Sequence, residues 1–441
     1  MKKTLMLMAL IASVNVYAGS IDYLAQQDAE YFAHASMTGK IGTSGAFYNP
    51  AGTAFMEDGL YVKVNTQTVF KDYTMNTNTI DVSTGNPIRD SHNSDYPSVM
   101  VPSIQIVKKD GDRSYFLHGG IAAGGGSLKY DNGISAFEVI GEGIEKTFRE
   151  KLPNTTVDYL GGSKVKGSSF YYNLNLGMAQ KVNEKFSVAG GVRFIYATRA
   201  LEGTGHYNLD LDGNGPIPAG KVDVSLDSER EAYGIGWLVG FNYQPIERLN
   251  IGFKYESEIQ LDFEAKNGMN GLKVNSPIKE EDIYENLAGN PIVREWLVDG
   301  YRNLPAMMSL GISYDVNDKL TLLTSGNYYF IEDANDSNAY AHYTNGYEAS
   351  VGFDYKLNEQ YTLMAGYQYT NTGANEDTYK DTDYALDAHM YSIGLKYTPN
   401  ETRTYTIAYS YVDYIDGTSK EHGTTFEKQV HAIGLAAEFK L

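Results

Sequence analysis

The residues able to do chemistry are scattered through this sequence rather than gathered. The eight histidines form no paired motif, and His34 and His92 stand far from any such motif. No Gly-x-Ser-x-Gly segment marks a hydrolase nucleophile, and the absence of cysteine removes thiolate nucleophiles, thiolate metal sites and disulfides. The densest acidic run, Glu280-Glu281-Asp282, has oxygen ligands suited to weak calcium binding, but it reads better as solvent-exposed charge near a helix start. No catalytic constellation emerges. No metal or cofactor is called for, and an enzyme is not expected.

The pattern lies instead in the strands. From Leu249 to Phe263, one set of alternate positions reads Leu, Ile, Phe, Tyr, Ser, Ile, Leu, Phe, and the other is polar or glycine. A period of two is a strand with one apolar and one polar face. A strand of about fifteen residues exceeds the five or six usual in soluble proteins and suits a tilted membrane crossing. Similar alternation runs through Phe186, Val188, Gly190, Val192, Phe194 and Tyr196, through Tyr347 to Tyr355, and through Ile433 to Leu441.

Fourteen strands are expected after Gly59. Their spans are 59–75, 98–109, 113–129, 168–181, 184–204, 222–243, 247–265, 304–316, 319–333, 345–357, 360–373, 384–398, 402–415 and 425–441. Six connections are short and rich in Asn, Asp, Gly and Pro, as hairpin turns should be. The other seven are mostly longer, and the two kinds alternate strictly. All short turns therefore fall at one end with both termini, and the long loops at the other. That is the rule of an outer-membrane barrel, which also closes every sheet edge. The 37 tyrosines supply the interfacial girdles of such a barrel, and the net charge of -19 argues against a nucleic-acid partner.

The remaining segments fit this plan. Residues 1–18 read as a signal peptide: a Lys2-Lys3 start, a short apolar core and small residues before Gly19. Residues 19–58 carry small residues and glycines with Phe47, Tyr48, Phe55 and Met56, which favours a hatch, or plug, inside the lumen over a loose tail. Residues 59–441 form the barrel, with loops 130–167 and 266–303 partly helical. Phe137, Ile140, Ile144 and Phe148 recur at helical spacing; Leu287, Val293, Trp296 and Leu297 do so less regularly. Such faces either pack over the rim or receive an apolar ligand. Gly119, Gly120, Gly124, Gly125 and Gly126 put five glycines into eight residues of the third strand, marking a bend, a bulge or a close approach.

The segment Ser44-Gly45-Ala46-Phe47-Tyr48-Asn49-Pro50-Ala51-Gly52, with Leu249–Tyr255, Leu304-Pro305-Ala306 and Ala365–Thr370, resembles the FadL/TodX family of outer-membrane channels for long-chain fatty acids and other hydrophobic compounds. The resemblance spans essentially the whole mature chain. It implies an all-β, 14-stranded antiparallel transmembrane barrel with an N-terminal hatch, in the outer membrane of a Gram-negative bacterium. It implies passive uptake: capture at an external groove (Phe137, Ile140, Ile144, Phe148, Leu287, Trp296, Leu297), contact with the mature N-terminus (Ile21, Tyr23 or Leu24), and movement at a hatch turn (Asn49, Pro50, Ala51). Lateral release to lipid would follow at Gly119–Gly126.

The expected partners are hydrophobic small molecules, outer-membrane lipid and the outer-membrane assembly machinery; a monomer is expected. Lys129, Arg193 and Arg199 are candidate cations for a carboxylate. A surface adhesin acting through the loops, or a porin for polar solutes, are the alternatives. The final residue, Leu441, departs from the aromatic end common in barrels, although Phe439 shares its face.

Overall fold

A computed structural model describes residues 28–150, 152–210, 220–276, 284, 287–289, 291–334 and 341–441. Fourteen antiparallel strands form the wall: β1 (Gly59–Asn76), β2 (Ser98–Asp110), β3 (Arg113–Tyr130), β4 (Lys164–Asn183), β5 (Phe186–Asp210), β6 (Lys221–Ile246), β7 (Leu249–Glu256), β8 (Ala306–Asp315), β9 (Leu320–Phe330), β10 (Gly346–Lys356), β11 (Tyr361–Asn371), β12 (Ala388–Asn400), β13 (Arg403–Tyr414) and β14 (Thr425–Lys440). Strand β14 pairs with β1 from Tyr61↔Lys440 to Asn76↔Thr425, which closes the barrel and leaves both of its ends paired. The expected spans agree within a few residues at most ends.

Alternation decides which face each residue takes. On β5, Val188, Val192 and Phe194 point outward, while Ser187, Arg193 and Arg199 are buried inside. On β14, Ile433 and Leu435 face out and Phe426, Lys428 and Val430 face in. Outward tyrosines stack across strands, as Tyr361 does on Tyr397 at 4.8 Å.

One expected strand differs. Strand β7 ends at Glu256, and the run to Phe263 does not continue in the wall. Ile251 and Tyr255 lie on the outer face, but Ile259, Leu261 and Phe263 are fully buried among Tyr171, Ile195 and Leu304. The chain turns inward, pairs Ile259 with Leu304, and rejoins the sheet at Asp262–Ala265. Alternation persisted because an apolar set facing an internal cluster has the same period as one facing lipid.

Among the described residues, the long connections carry α1 (Ser135–Arg149) and α2 (Pro291–Leu297), as the helical spacing predicts. Before the barrel, residues 28–56 form short helical turns with almost every side chain buried.

Candidate functional site

The N-terminal segment lies in the lumen because the wall makes room for it. Six inward positions on six strands are glycine: Gly252, Gly311, Gly352, Gly366, Gly394 and Gly434. A Cβ on any of them would meet the segment: Thr38 and Asn49 at Gly252, Thr38 and Gly39 at Gly311, His34 at Gly352 and Gly366, Ala33 at Gly394 and Ala29 at Gly434. Here glycine is required by close approach of backbone to backbone. These seats escaped the sequence reading.

Charge fixes the seated segment. Glu30 meets Lys40 at 2.9 Å, Lys63 at 2.9 Å and Lys396 at 2.8 Å. Lys63 also holds Asp28, and Lys40 holds Asp354. Burial alone would raise the Glu30 carboxyl, but Lys396, Lys40 and Lys63 hold it well below the usual range.

The hatch turn is bound as firmly. Asn49 caps a short helical turn by accepting from the Gly52 N–H, with Pro50 in its first position. Its amide donates to Asn242 Oδ1 at 2.7 Å and to the Lys40 carbonyl at 3.1 Å. Asn250 donates to the Gly39 carbonyl at 2.7 Å, and Ser187 donates to the Ala51 carbonyl at 2.7 Å. Asn49 thus ties the segment to β6 and Ala51 ties it to β5, while Gly39 ties it to β7.

The glycine-rich part of β3 interrupts the wall. Pairing of β2 with β3 runs from Asp110↔Arg113 to Ile104↔Gly119 and stops there. Toward β4 the register shifts between Ile121 and Ala123 and again before Gly126. Gly124 and Gly126 have φ of 104° and 73°, conformations that disfavour a side chain. Lys71 of β1 reaches across this break and donates to the Ser127 carbonyl at 2.6 Å.

A cavity of about 90 Å³ opens behind the break. Its wall is mainly apolar: Phe32 of the hatch with Val69, Ile121, Phe170, Met390 and Val412, and Lys71 at its edge. A second space of about 40 Å³ shares Tyr73 and adds Leu128, Tyr130, Leu201 and Lys428. The Lys428 ammonium donates to the Tyr384 carbonyl at 2.7 Å and lies 4.3, 5.1 and 5.4 Å from the rings of Tyr384, Tyr73 and Tyr414. Lys71 and Lys428 therefore bring one buried positive charge to each of two adjoining spaces, the second of which is also lined by Asp381 and Asp383.

The cations named from sequence stand elsewhere. Lys129 is half-exposed against Asp131, Arg193 pairs with Glu256 at 3.0 Å, and Arg199 lies over the Trp296 ring beside Glu295. Lys71 could have been found in the inward set it shares with Lys63, Asn65 and Gln67.

The external-groove residues fall into two groups. Ile140, Ile144, Phe148, Leu287 and Leu297 pack in one cluster with Val157 and Tyr207, between α1, the loops and the extended ends of β5 and β6. Phe137 and Trp296 join the larger cluster that continues down to the hatch. Glu142 lies on α1 beside this surface. Burial pushes its carboxyl up, the Val82 N–H lowers it, and Glu145, Asp81 and Asp158 raise it, to about 7. Ile21, Tyr23, Leu24 and the signal segment lie outside the described residues.

Comparison with known proteins follows the same line. A family profile described as "Outer membrane protein transport protein (OMPP1/FadL/TodX)" matches residues 143–441. Outer membrane protein P1 of Haemophilus influenzae is 26% identical over 296 residues, which span 60% of this chain and 61% of that protein. The chain thus matches about three-fifths of that relative's length. A FadL homologue of Pseudomonas aeruginosa shares the fold with a TM-score of 0.68 at 18% identity, covering 97% of this chain and 100% of that one. The P. putida toluene transporter TodX does so at 0.59 and 14%, covering 91% and 94%.

Proposed function

Since this chain belongs to the outer membrane protein transport protein (OMPP1/FadL/TodX) family, we propose that it is a passive outer-membrane channel for hydrophobic small molecules, and that its ligands are long-chain fatty acids or acids like them. The observation that carries the second half is the pair of neighbouring spaces that meet at Tyr73, one with Lys71 on its wall and the other with Lys428. Burying an alkyl chain contributes about 0.8 kcal/mol per methylene. A neutral hydrocarbon gains that term and nothing from the Lys71 and Lys428 ammonium groups. A fatty acid gains it and brings an anion to them.

The route follows from where the wall is weakest. A ligand gathers at the apolar surface of α1 and α2, descends past Phe137 to Lys428 and Lys71, and leaves sideways at Gly119–Gly126, where β2 and β3 are unpaired. Residues 1–18 serve as a removable signal, residues 19–58 as the hatch and residues 59–441 as the barrel. No step makes or breaks a covalent bond, and no residue acts as a catalyst.

The test is ligand binding by the purified, detergent-folded protein. Each fatty acid is paired with its neutral alcohol and with an aromatic hydrocarbon of similar size. Preference for the acid supports the assignment. Equal or better binding of the neutral compounds moves the ligand class to hydrocarbons, and no binding by a folded barrel removes the transport reading in favour of surface recognition by the loops.

A further inference from the structure

The wall has a second weak place, at the junction of β6 and β7. Strand β6 pairs with β7 from Ile246↔Leu249 up to Leu238↔Glu256, and with Ala265 and Glu264 at Arg230 and Glu231. Between these stretches, Ala232 to Gly236 have no ladder partner on that side among the described residues, because Ser257–Leu261 has turned into the lumen. The outward side chains beside the gap are bare: Tyr233 and Ile235 are each 69% exposed and Trp237 50%. Tilted strands gain roughly 2.5 Å of height per residue. Counted from Ile246 at the short β6–β7 turn, Trp237 and Tyr233 thus stand about 23 and 33 Å up, at the outer leaflet and its outer edge.

A groove leads to this gap across the lipid face. Tyr172, Tyr196 and Tyr233 stack in sequence, with centroids 6.0 and 4.7 Å apart, and Leu174, Phe194 and Ile235 form the other bank. Ser257, Glu258 and Gln260 stand at its end.

On the inner side, the Ser257–Leu261 turn closes the gap, with Ile259 at its centre and Ser257, Gln260 and Leu261 beside it. Ile259 is 0% exposed and seats against the two inward glycines of β6. A Cβ on Gly236 would lie 2.6 Å from Ile259 Cγ1, and one on Gly234 would collide with Ile259 Cγ2. Leu304, which bridges to Ile259, lines a cavity of about 50 Å³ together with Phe47, Ala122, Ala123 and Met307, and with the buried Arg193–Glu256 pair. Ala122 and Ala123 belong to the β3 break. The lumen beside the break and the lipid-facing groove are therefore separated at this point by Ile259 and its hairpin.

We propose that Ser257–Leu261 is a second lateral gate, with Ile259 as its stopper, through which the hydrocarbon tail of a ligand passes between the lumen and the outer leaflet. The occupant is an alkyl chain: the banks are apolar and aromatic, the outer end opens on lipid, and the inner end meets an apolar cluster. The proposal rests on the transport reading above and adds to it a second exit.

The chain has no cysteine, so a single engineered pair reports cleanly. Gly236→Cys with Ile259→Cys places two sulfurs where Ile259 now seats, within the reach of a disulfide. Uptake of a fluorescent fatty acid by proteoliposomes is measured for the native and paired variants, oxidised and reduced. Heat-modifiable migration on gels confirms a folded barrel. The gate requires a severalfold fall in uptake on oxidation that returns on reduction, and a rise in uptake for Ile259→Ala. Oxidised variant and native protein taking up ligand equally would overturn the gate and leave the transport reading standing. A native protein with no uptake would overturn both.

Discussion

Gly366→Ala tests whether the wall glycines seat the hatch. A methyl carbon at Gly366 would lie 2.6 Å from both Cα and the carbonyl oxygen of His34, and 2.8 Å from its Cβ. These are backbone atoms of a buried turn, held through His34 Nε2 at 3.3 Å from Asp354 and by Lys40, so no flexible side-chain end can yield. The hatch must withdraw by about 1 Å to restore ordinary contact, and overpacking of this kind costs roughly 1–3 kcal/mol. That shifts the balance between seated and unseated hatch about 5- to 150-fold toward unseated. The wall ladder is unaffected, since the substitution adds nothing between β11 and its neighbours. Liposome swelling in a small sugar reads the result, because a seated hatch blocks polar solutes. Gly190→Ala is the control: a Cβ there meets nothing within 4 Å. Swelling should rise with Gly366→Ala and stay at the native level with Gly190→Ala. Equal swelling for the two folded variants would refute the idea that the glycines hold the hatch.

Lys428→Met should weaken fatty-acid binding roughly 10- to 150-fold, the cost of losing a charge-assisted hydrogen bond, and leave the matching alcohol nearly unchanged; isothermal titration of both ligands checks this. Gly124→Ala puts a side chain at φ 104° and against the Ser169 carbonyl oxygen, so it should strain the β3 break by about 1–3 kcal/mol and lower fatty-acid uptake in a barrel that still assembles. Glu142 binds its proton up to about pH 7 in the folded loop but only to about 4.5 in an unfolded one, so the contact between α1 and the loop at Val82 should weaken as pH rises between those values. Glu142→Gln should abolish that dependence, read as the rate of proteolytic cleavage within residues 77–97 from pH 4.5 to 8.

What the sequence could show was set by what alternation measures. It located fourteen strands and the sidedness of their connections, because every membrane crossing must present an apolar face to lipid at period two. It could not separate Tyr255 from Ile259, since apolar against lipid and apolar against an internal cluster are the same letters at the same spacing. The hatch was visible as small residues, but its seats were not: Gly252 and Gly366 matter for what lies opposite, and that is fixed by barrel closure rather than by neighbours in sequence. Lys71 and Lys428 line adjoining spaces although 357 residues separate them, because β1 and β14 are paired. The external-groove residues were recognised as apolar faces, and the structure packs them against each other and against the strand ends.

The two sides of the cavity differ in what must break for a ligand to leave. Below lies the hatch, where Glu30 alone meets three lysines and Asn49 is bonded to β6 as well as to its own segment. Separating a buried pair without a replacement costs about 3–5 kcal/mol, and several would have to separate together. To the side lies the β3 break, where the ladder to β2 has already ended at Gly119 and the tie identified across it is Lys71 on the Ser127 carbonyl. A charge-assisted hydrogen bond of that kind contributes about 1.5–3 kcal/mol. On the proposed route, an acid's carboxylate would offer the Lys71 ammonium a better partner than the carbonyl and so loosen the bridge that spans the exit. The difference of several kcal/mol between the two directions favours the wall over the hatch for any ligand that remains in apolar surroundings. It also explains why a passive channel can hold a charge-locked plug: the plug keeps polar solutes out while the hydrophobic route runs beside it.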